Sequence, residues 1–265
     1  MLDSVSSCQR DVDTLSSCSK SWGLEMNSSK CAVMRFTPRN SSLQYTGISP
    51  YKIETSPILF VSSHTDLGVT IDRSLRFHSH IRRIVGAAGG LTTNVLNCTL
   101  SRDSDFLINV YKSHVRPILE YASCVWNTGY IGDLKLLERI QRRFTRSIVN
   151  MSSHSYEDRL KLLDLYSFKG RLLRADLIMV WKIINKQCSV AFEDIFQYSP
   201  VLATRGHPYK LFSNHYNLDV RKRSFSVRVI NAWNSLSTGT VTACSLQAFK
   251  TGLHRDLGAS LYEYC

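Results

Sequence analysis

The sequence predicts an α+β chain, with a small α/β segment at the N-terminus and a mainly α-helical remainder. Three observations carry this. Up to Asp72, one helical stripe is followed by short alternating apolar runs separated by turn residues. After Asp72, apolar residues recur every three or four positions in segments long enough for helices. Finally, 43% hydrophobic and 20% charged residues is ordinary globular material, without a disordered bias.

Residues 4–20 place Val5, Cys8, Val12, Leu15 and Cys18 at helical spacing, and Gly23 supplies a stop. KCAVMRF at 30–36 alternates as a short strand, and 38–47 is turn chemistry. YKIE (51–54), ILFV (58–61) and DLGVTID (66–72) read as short strands joined by tight turns. These strands are too few to close a sheet alone, the mark of a truncated domain.

Helices are expected over 76–98, 103–126, 132–150, 156–165 and 168–186. Ser101 or Asp103 caps the second. In the fifth, Leu173, Leu177, Val180, Trp181 and Ile184 form a stripe. Residues 187–222 are irregular, and 220–236 and 245–257 are amphipathic. Within the second helix, YKSHVRPILEYASCVWN keeps its apolar phase across Pro117 through Tyr111, Val115, Ile118, Ala122 and Val125. That predicts one helix bent at the proline, with Lys112 and Arg116 opposite the apolar arc.

Charge is the first anomaly: 33 Lys+Arg against 21 Asp+Glu, net +12, with a pI near 9.4. Such a balance concerns partners more than fold, and a polyanion comes before an anionic membrane surface. The helix at 132–150 shows why. Leu136, Leu137, Ile140, Phe144 and Ile148 cover one arc, and Lys135, Arg139, Arg142, Arg143 and Arg146 the opposite one. Like charges four residues apart repel by a few tenths of a kcal/mol. Phosphates relieve that repulsion, and arginine forks match their oxygens. The alternative is a solvated basic face.

No apolar run reaches membrane-spanning length, and MLDSVSSCQRDVD lacks a signal-peptide core, so an intracellular, non-membrane protein is expected. Eight scattered cysteines form no CxxC, which predicts reduced, mostly buried thiols. Catalytic signatures are absent from the residues. AAGGLTT (87–93) is not a phosphate loop. His78 and His80 lack a third ligand nearby in sequence. Asp11 and Asp13 lie two apart in a predicted helix and diverge, and no Asp-Asp dipeptide exists.

The order of several motifs adds a resemblance. CQRDVDTLSSCSKSWGLEMNSSKCAVMRF (8–36) resembles the segment after the catalytic Tyr-X-Asp-Asp turn in reverse transcriptases of non-LTR retrotransposons (LINE or jockey type). Trp22, Asn27, Lys30 and Cys31 keep that pattern, while Cys18 stands where a Trp is usual. HTDLGVTIDRSLRFHSHI (64–81) is similar to the stretch that follows, and YKSHVRPILEYASCVWN, LLERIQRRFTRSI and RKRSFSVRVINAWNSL look like the later helical regions. The resemblance implies four parts: residues 1–50 as the end of a truncated palm, 51–75 as a primer-grip-like hairpin with Leu67 and Gly68 at its tip, 76–190 as a helical thumb and extension, and 191–265 as a C-terminal helical extension. It implies RNA or an RNA–DNA duplex as partner, bound by Lys112, Arg116, Lys135, Arg139, Arg142, Arg143 and Arg146. An upstream palm and fingers segment is a further partner if a longer product exists. Mg2+ belongs to the intact family enzyme. No cofactor, metal or catalytic residue is expected on this chain, which would not polymerise alone. A helical protein-interaction module and a non-functional element remnant are the alternatives.

Overall fold

The computed structural model describes residues 2–36, 47–200 and 206–264. They divide into two compact units, Met1–Phe77 and His78–Cys265. The turn expected over 38–47 lies outside the described residues except for Gly47, as do 201–205 and Cys265.

In the first unit, α1 (Leu2–Ser21) precedes β1 (Ala32–Val33), β2 (Gly47–Ile53), β3 (Ser56–Phe60), β4 (Ser63–Asp66) and β5 (Val69–Asp72). One sheet has the order β1-β3-β2, parallel between β1 and β3 and antiparallel between β3 and β2. Pro50 lacks an N–H, and the β2–β3 register shifts between Ile48 and Lys52. The Gln9 amide meets β2 as another strand would: Oε1 accepts from Lys52 N at 3.0 Å and Nε2 donates to Lys52 O at 2.9 Å. This corrects the expected stripe on α1. Val5, Gln9 and Val12 are half-buried and Ser16 is buried, while Cys8, Leu15 and Cys18 are exposed. The helix is turned by a polar contact that apolar periodicity does not record.

The second unit is helical: α2 (His78–Cys98), α3 (Ser104–Val110), α4 (Arg116–Glu120), α5 (Ser123–Trp126), α6 (Ile131–Arg146), α7 (Tyr156–Leu162), α8 (Phe168–Ile184), α9 (Phe192–Ile195), α10 (Asp219–Lys222), α11 (Phe225–Arg228), α12 (Ile230–Asn234), α13 (Thr238–Val241) and α14 (Leu246–Leu257). Capping sets several starts. Asp103 accepts from Phe106 N at 3.0 Å, Ser167 from Gly170 N at 3.0 Å, and Ser245 from Ala248 N at 3.1 Å. The stretch 220–236 is broken into three short helices rather than one.

The segment around Pro117 is neither one α-helix nor a simple kink. A π-helical stretch, Tyr111–Val115, joins α3 to α4, and Arg116 N–H reaches Tyr111 O, five residues back. Proline removes a donor and its ring crowds the preceding turn; the wider π spacing takes up that misfit. The break comes later, at Ala122, whose φ of 52° is left-handed. Trp126 Nε1 then donates to Tyr121 O at 2.7 Å. Tyr111, Val115, Leu119 and Trp126 are buried, whereas Val125 is exposed because the phase is lost at Ala122.

The C-terminal half packs around α8. Trp181 stacks on Phe249 with centroids 5.6 Å apart, and Trp233 lies 6.0 Å from the same ring. Leu177, Val180 and Trp181 are buried there, with Leu173 and Ile184 packed at the edge. The chain end crosses the start of α8: Ser167 N donates to Leu261 O at 2.9 Å. Gly170 is required at this crossing, because a Cβ would stand 2.2 Å from Leu261 O.

Two further expectations meet the structure here. The seven described cysteines are free, but none is fully buried: Cys8, Cys18, Cys98 and Cys244 are exposed, and Cys31, Cys124 and Cys188 are intermediate. Cys8 and Cys18 lie on the exposed side of α1, Cys98 ends α2, and Cys244 lies between α13 and α14. Among the described residues, no helix is long and apolar enough to cross a membrane.

Candidate nucleic-acid interface

The site begins with the two-faced helix α6. Its buried residues are Asp133, Leu134, Leu137, Glu138, Ile140, Gln141, Phe144 and Thr145. Four of these are polar, and Glu138 and Gln141 join a buried network. Tyr111 Oη donates to Gln141 Oε1 at 2.7 Å, and Gln141 Nε2 donates to Tyr156 Oη at 3.1 Å and Tyr166 O at 2.9 Å. Tyr156 Oη donates to Glu138, whose carboxylate also accepts from Phe168 N at 3.1 and 3.0 Å. Burial pushes the Glu138 carboxyl up, against those hydrogen bonds, and the net shift is upward. The one glutamate of α6 is thus turned inward and does not neutralise the outer face.

That outer face carries Lys135, Arg139, Arg142, Arg143 and Arg146, all exposed. No carboxylate among the described residues forms an ion pair with any of the five. Arg142 is positioned rather than loose: its guanidinium lies 4.7 Å from the Tyr156 ring and 5.1 Å from Tyr264.

Lys112 and Arg116 have a different setting. Lys112 is half-buried on the π-helical stretch. Arg116 Nε lies 3.8 Å from Glu120, which also takes a two-point contact from Arg171, with Nη2 at 2.9 Å. Burial opposes the charge of Arg171, but Glu120 outweighs it and the net shift is upward. Burial and then Arg171 lower Arg116. Arg116 therefore joins an internal cluster with Arg171 and Glu120 instead of a bare basic face.

Leu67 and Gly68 form the two-residue tip between β4 and β5, with Asp66 opposite Val69. Both have positive φ, 44° and 80°, the pattern of a type I′ turn. Gly68 suits this conformation, but Leu67 is a branched side chain held in it and is 83% exposed.

His78 Nδ1 lies 2.6 Å from Asp133 Oδ2, and His80 is buried with its ring 5.7 Å from Trp126. Asp13 accepts from Gln9 Nε2 at 2.7 Å on exposed helix. No three His, Cys, Asp or Glu side chains among the described residues group so as to hold a metal ion.

Sequence reasoning missed Arg159, Arg171, Glu120 and the Glu138–Gln141 network. The signal existed in part. Glu138, Gln141 and Thr145 fall on the same helical phase as Leu134, Leu137 and Phe144.

No protein-family model matches the chain, and no solved structure matches it. Among curated proteins, an uncharacterized protein of Caenorhabditis elegans is 30% identical over 98 residues, 36% of this chain and 50% of that protein. The RNA-directed DNA polymerase from mobile element jockey of Drosophila melanogaster is 26% identical over 151 residues, 56% of this chain and 16% of that polymerase. Its counterpart in Drosophila funebris is 25% identical over 151 residues. The chain spans half of the first relative and a small part of the polymerases. It contains a region related to the RNA-directed DNA polymerase of a mobile element.

Proposed function

We propose that the chain is a post-catalytic part of a mobile-element reverse transcriptase that holds RNA or an RNA–DNA template–primer by its backbone. On this proposal, residues 1–50 are the end of a palm, 51–75 a primer-grip-like hairpin, 76–190 a thumb with its extension, and 191–265 a C-terminal extension. The chain binds duplex and does not polymerise by itself, the Mg2+ and its ligands belonging to the intact enzyme. The observation that supports binding is the outer face of α6. Five exposed cations share it, while the helix's glutamate is buried behind it. Neutralising them with phosphates removes their mutual repulsion and releases counterions.

Fluorescence anisotropy with an RNA–DNA duplex across a salt series tests this. Affinity is expected to fall steeply as salt rises, and Arg139→Glu with Arg143→Glu to remove most of it, independent of duplex sequence. Affinity that is flat in salt, or unchanged by the double reversal, overturns the proposal. Binding of proteins but no RNA after nuclease treatment would then favour the interaction-module alternative.

A further inference from the structure

Arg159 is the anomaly of the second unit. It lies in α7 three residues after Tyr156 and is 4% exposed, yet its Nε and Nη1 are buried with no hydrogen-bond partner. A buried guanidinium ordinarily takes a carboxylate. Here the candidate acids are already engaged. Glu157 pairs with Lys161 at 2.9 Å, Asp158 bonds Ser155 Oγ at 2.6 Å, and Glu138 is held by Tyr156 and Phe168. The contact Arg159 does make is with the Tyr156 ring, 5.5 Å away.

That same ring carries Arg142 at 4.7 Å. Two cations therefore contact one aromatic ring, and the charges of Arg142 and Arg146 both act on Arg159. Among the described residues none of these three arginines pairs with a carboxylate, and one of them is buried with two nitrogens unpartnered. Such an arrangement is unfavourable for an empty protein and favourable once an anion with several acceptor oxygens arrives.

We infer that Arg159, with Arg142 and Arg146, forms a discrete pocket for one phosphate group of a bound nucleic-acid backbone. This rests on the reading of α6 as a backbone-binding face and adds to it a fixed seat. Lys135, Arg139 and Arg143 on the outer face are exposed point contacts, whereas Arg159 is pre-positioned by packing and loses less freedom on binding. Inorganic phosphate offers the same oxygens and serves as the minimal probe.

The test is NMR of the arginine Nε–Hε groups in the full chain, with the Arg159 resonance assigned by its loss in Arg159→Lys. Inorganic phosphate and a short single-stranded RNA are titrated separately. Both are expected to shift the Arg159 signal saturably, with RNA acting at lower concentration. In anisotropy, Arg159→Met is expected to weaken duplex binding by about tenfold and to lower the salt slope by about one. Arg159→Met also removes an uncompensated buried charge, so it is expected to melt no lower than wild type in phosphate-free buffer and to lose any phosphate-induced rise.

The outcomes separate the two proposals. A silent Arg159 signal with both probes, or unchanged duplex affinity and slope in Arg159→Met, overturns the pocket and leaves the α6 face standing. A phosphate-responsive Arg159 in a chain that binds no nucleic acid keeps an anion site, overturns its assignment to a nucleic-acid backbone, and overturns the α6 reading with it.

Discussion

The described residues of Met1–Phe77 bury Ile53, Ile58, Val69 and Phe77, yet leave Leu15, Trp22, Leu24, Phe36, Leu59 and Leu67 more than half exposed. His78–Cys265 also exposes some apolar residues, Leu100 and Ile131 among them, but against a core that encloses Trp126, Trp181 and Trp233. The contrast is physical. A segment under about 80 residues has little interior to spare, and two small sheets with one helix fill it poorly. A helical unit more than twice as long buries full side chains on several helices at once. The second unit is therefore where a single substitution should matter most.

The largest expected effect is at Trp233. It is fully buried, lies tilted 6.0 Å from the Phe249 ring, and donates from Nε1 to Tyr209 O at 2.9 Å. Trp233→Ala opens a cavity and strands that carbonyl, so about 3–5 kcal/mol of stability should be lost. Ile58→Ala in the first unit should cost nearer 2 kcal/mol, because fewer neighbours surround it. Urea titrations of both variants measure the difference. Equal costs would break the comparison between a full core and a thin one.

The same contrast explains what the sequence could reveal. The helices of the second unit were legible because burial follows helical phase: Leu137, Ile140 and Phe144 on α6, and Leu177, Val180 and Trp181 on α8. The basic face of α6 was legible for the same reason in reverse. YKIE and ILFV overlap β2 and β3, and the mixed α+β class was legible with them, whereas DLGVTID, expected as a strand, straddles the β4–β5 tip, and only Ala32–Val33 of KCAVMRF forms a strand. Three further things were not legible. The α1 face depends on one glutamine pairing with a strand backbone. The Pro117 segment depends on π spacing, which leaves no mark in residue types. Arg159 sits at an apolar phase beside Tyr156 and Leu160, and a lone arginine in a seven-residue helix reads as ordinary surface charge. In the first and third cases a polar side chain takes a place that hydrophobic periodicity treats as noise, and in the second the helical spacing itself changes.

A second prediction sharpens the account of the closed unit. Burial first, and then the positive charge of Arg83, holds the His80 imidazole down at about 4. In the unfolded chain it protonates near its ordinary value of about 6.5. The native state thus keeps His80 neutral, and the stability this group contributes is present above pH 6.5 and lost as pH falls through about 4. Chemical denaturation from pH 7 to pH 4 should show the decline, and His80→Gln should flatten it. His78 lies two residues away, 2.6 Å from Asp133, and His78→Gln serves as the control that leaves the His80 slope in place. A decline unchanged by His80→Gln would place its origin elsewhere.

The smallest expected effect lies in the open unit and has the opposite sign. Leu67 holds a φ of 44° at the β4–β5 tip, a conformation that costs an ordinary L-residue about 1–2 kcal/mol. Asparagine tolerates it better, and the 83% exposure of Leu67 means little burial is forfeited by the change. Leu67→Asn should therefore stabilise the hairpin by about 1 kcal/mol, read as a small rise in the melting temperature. A strained, exposed, apolar tip is poor design for stability alone and suits a contact surface. If that surface meets the end of a primer, the stabilised variant should bind a primed template less well than wild type while binding blunt duplex equally. A variant that is less stable than wild type would show that the leucine side chain contributes packing, and the strain at the tip would then need no function to account for it.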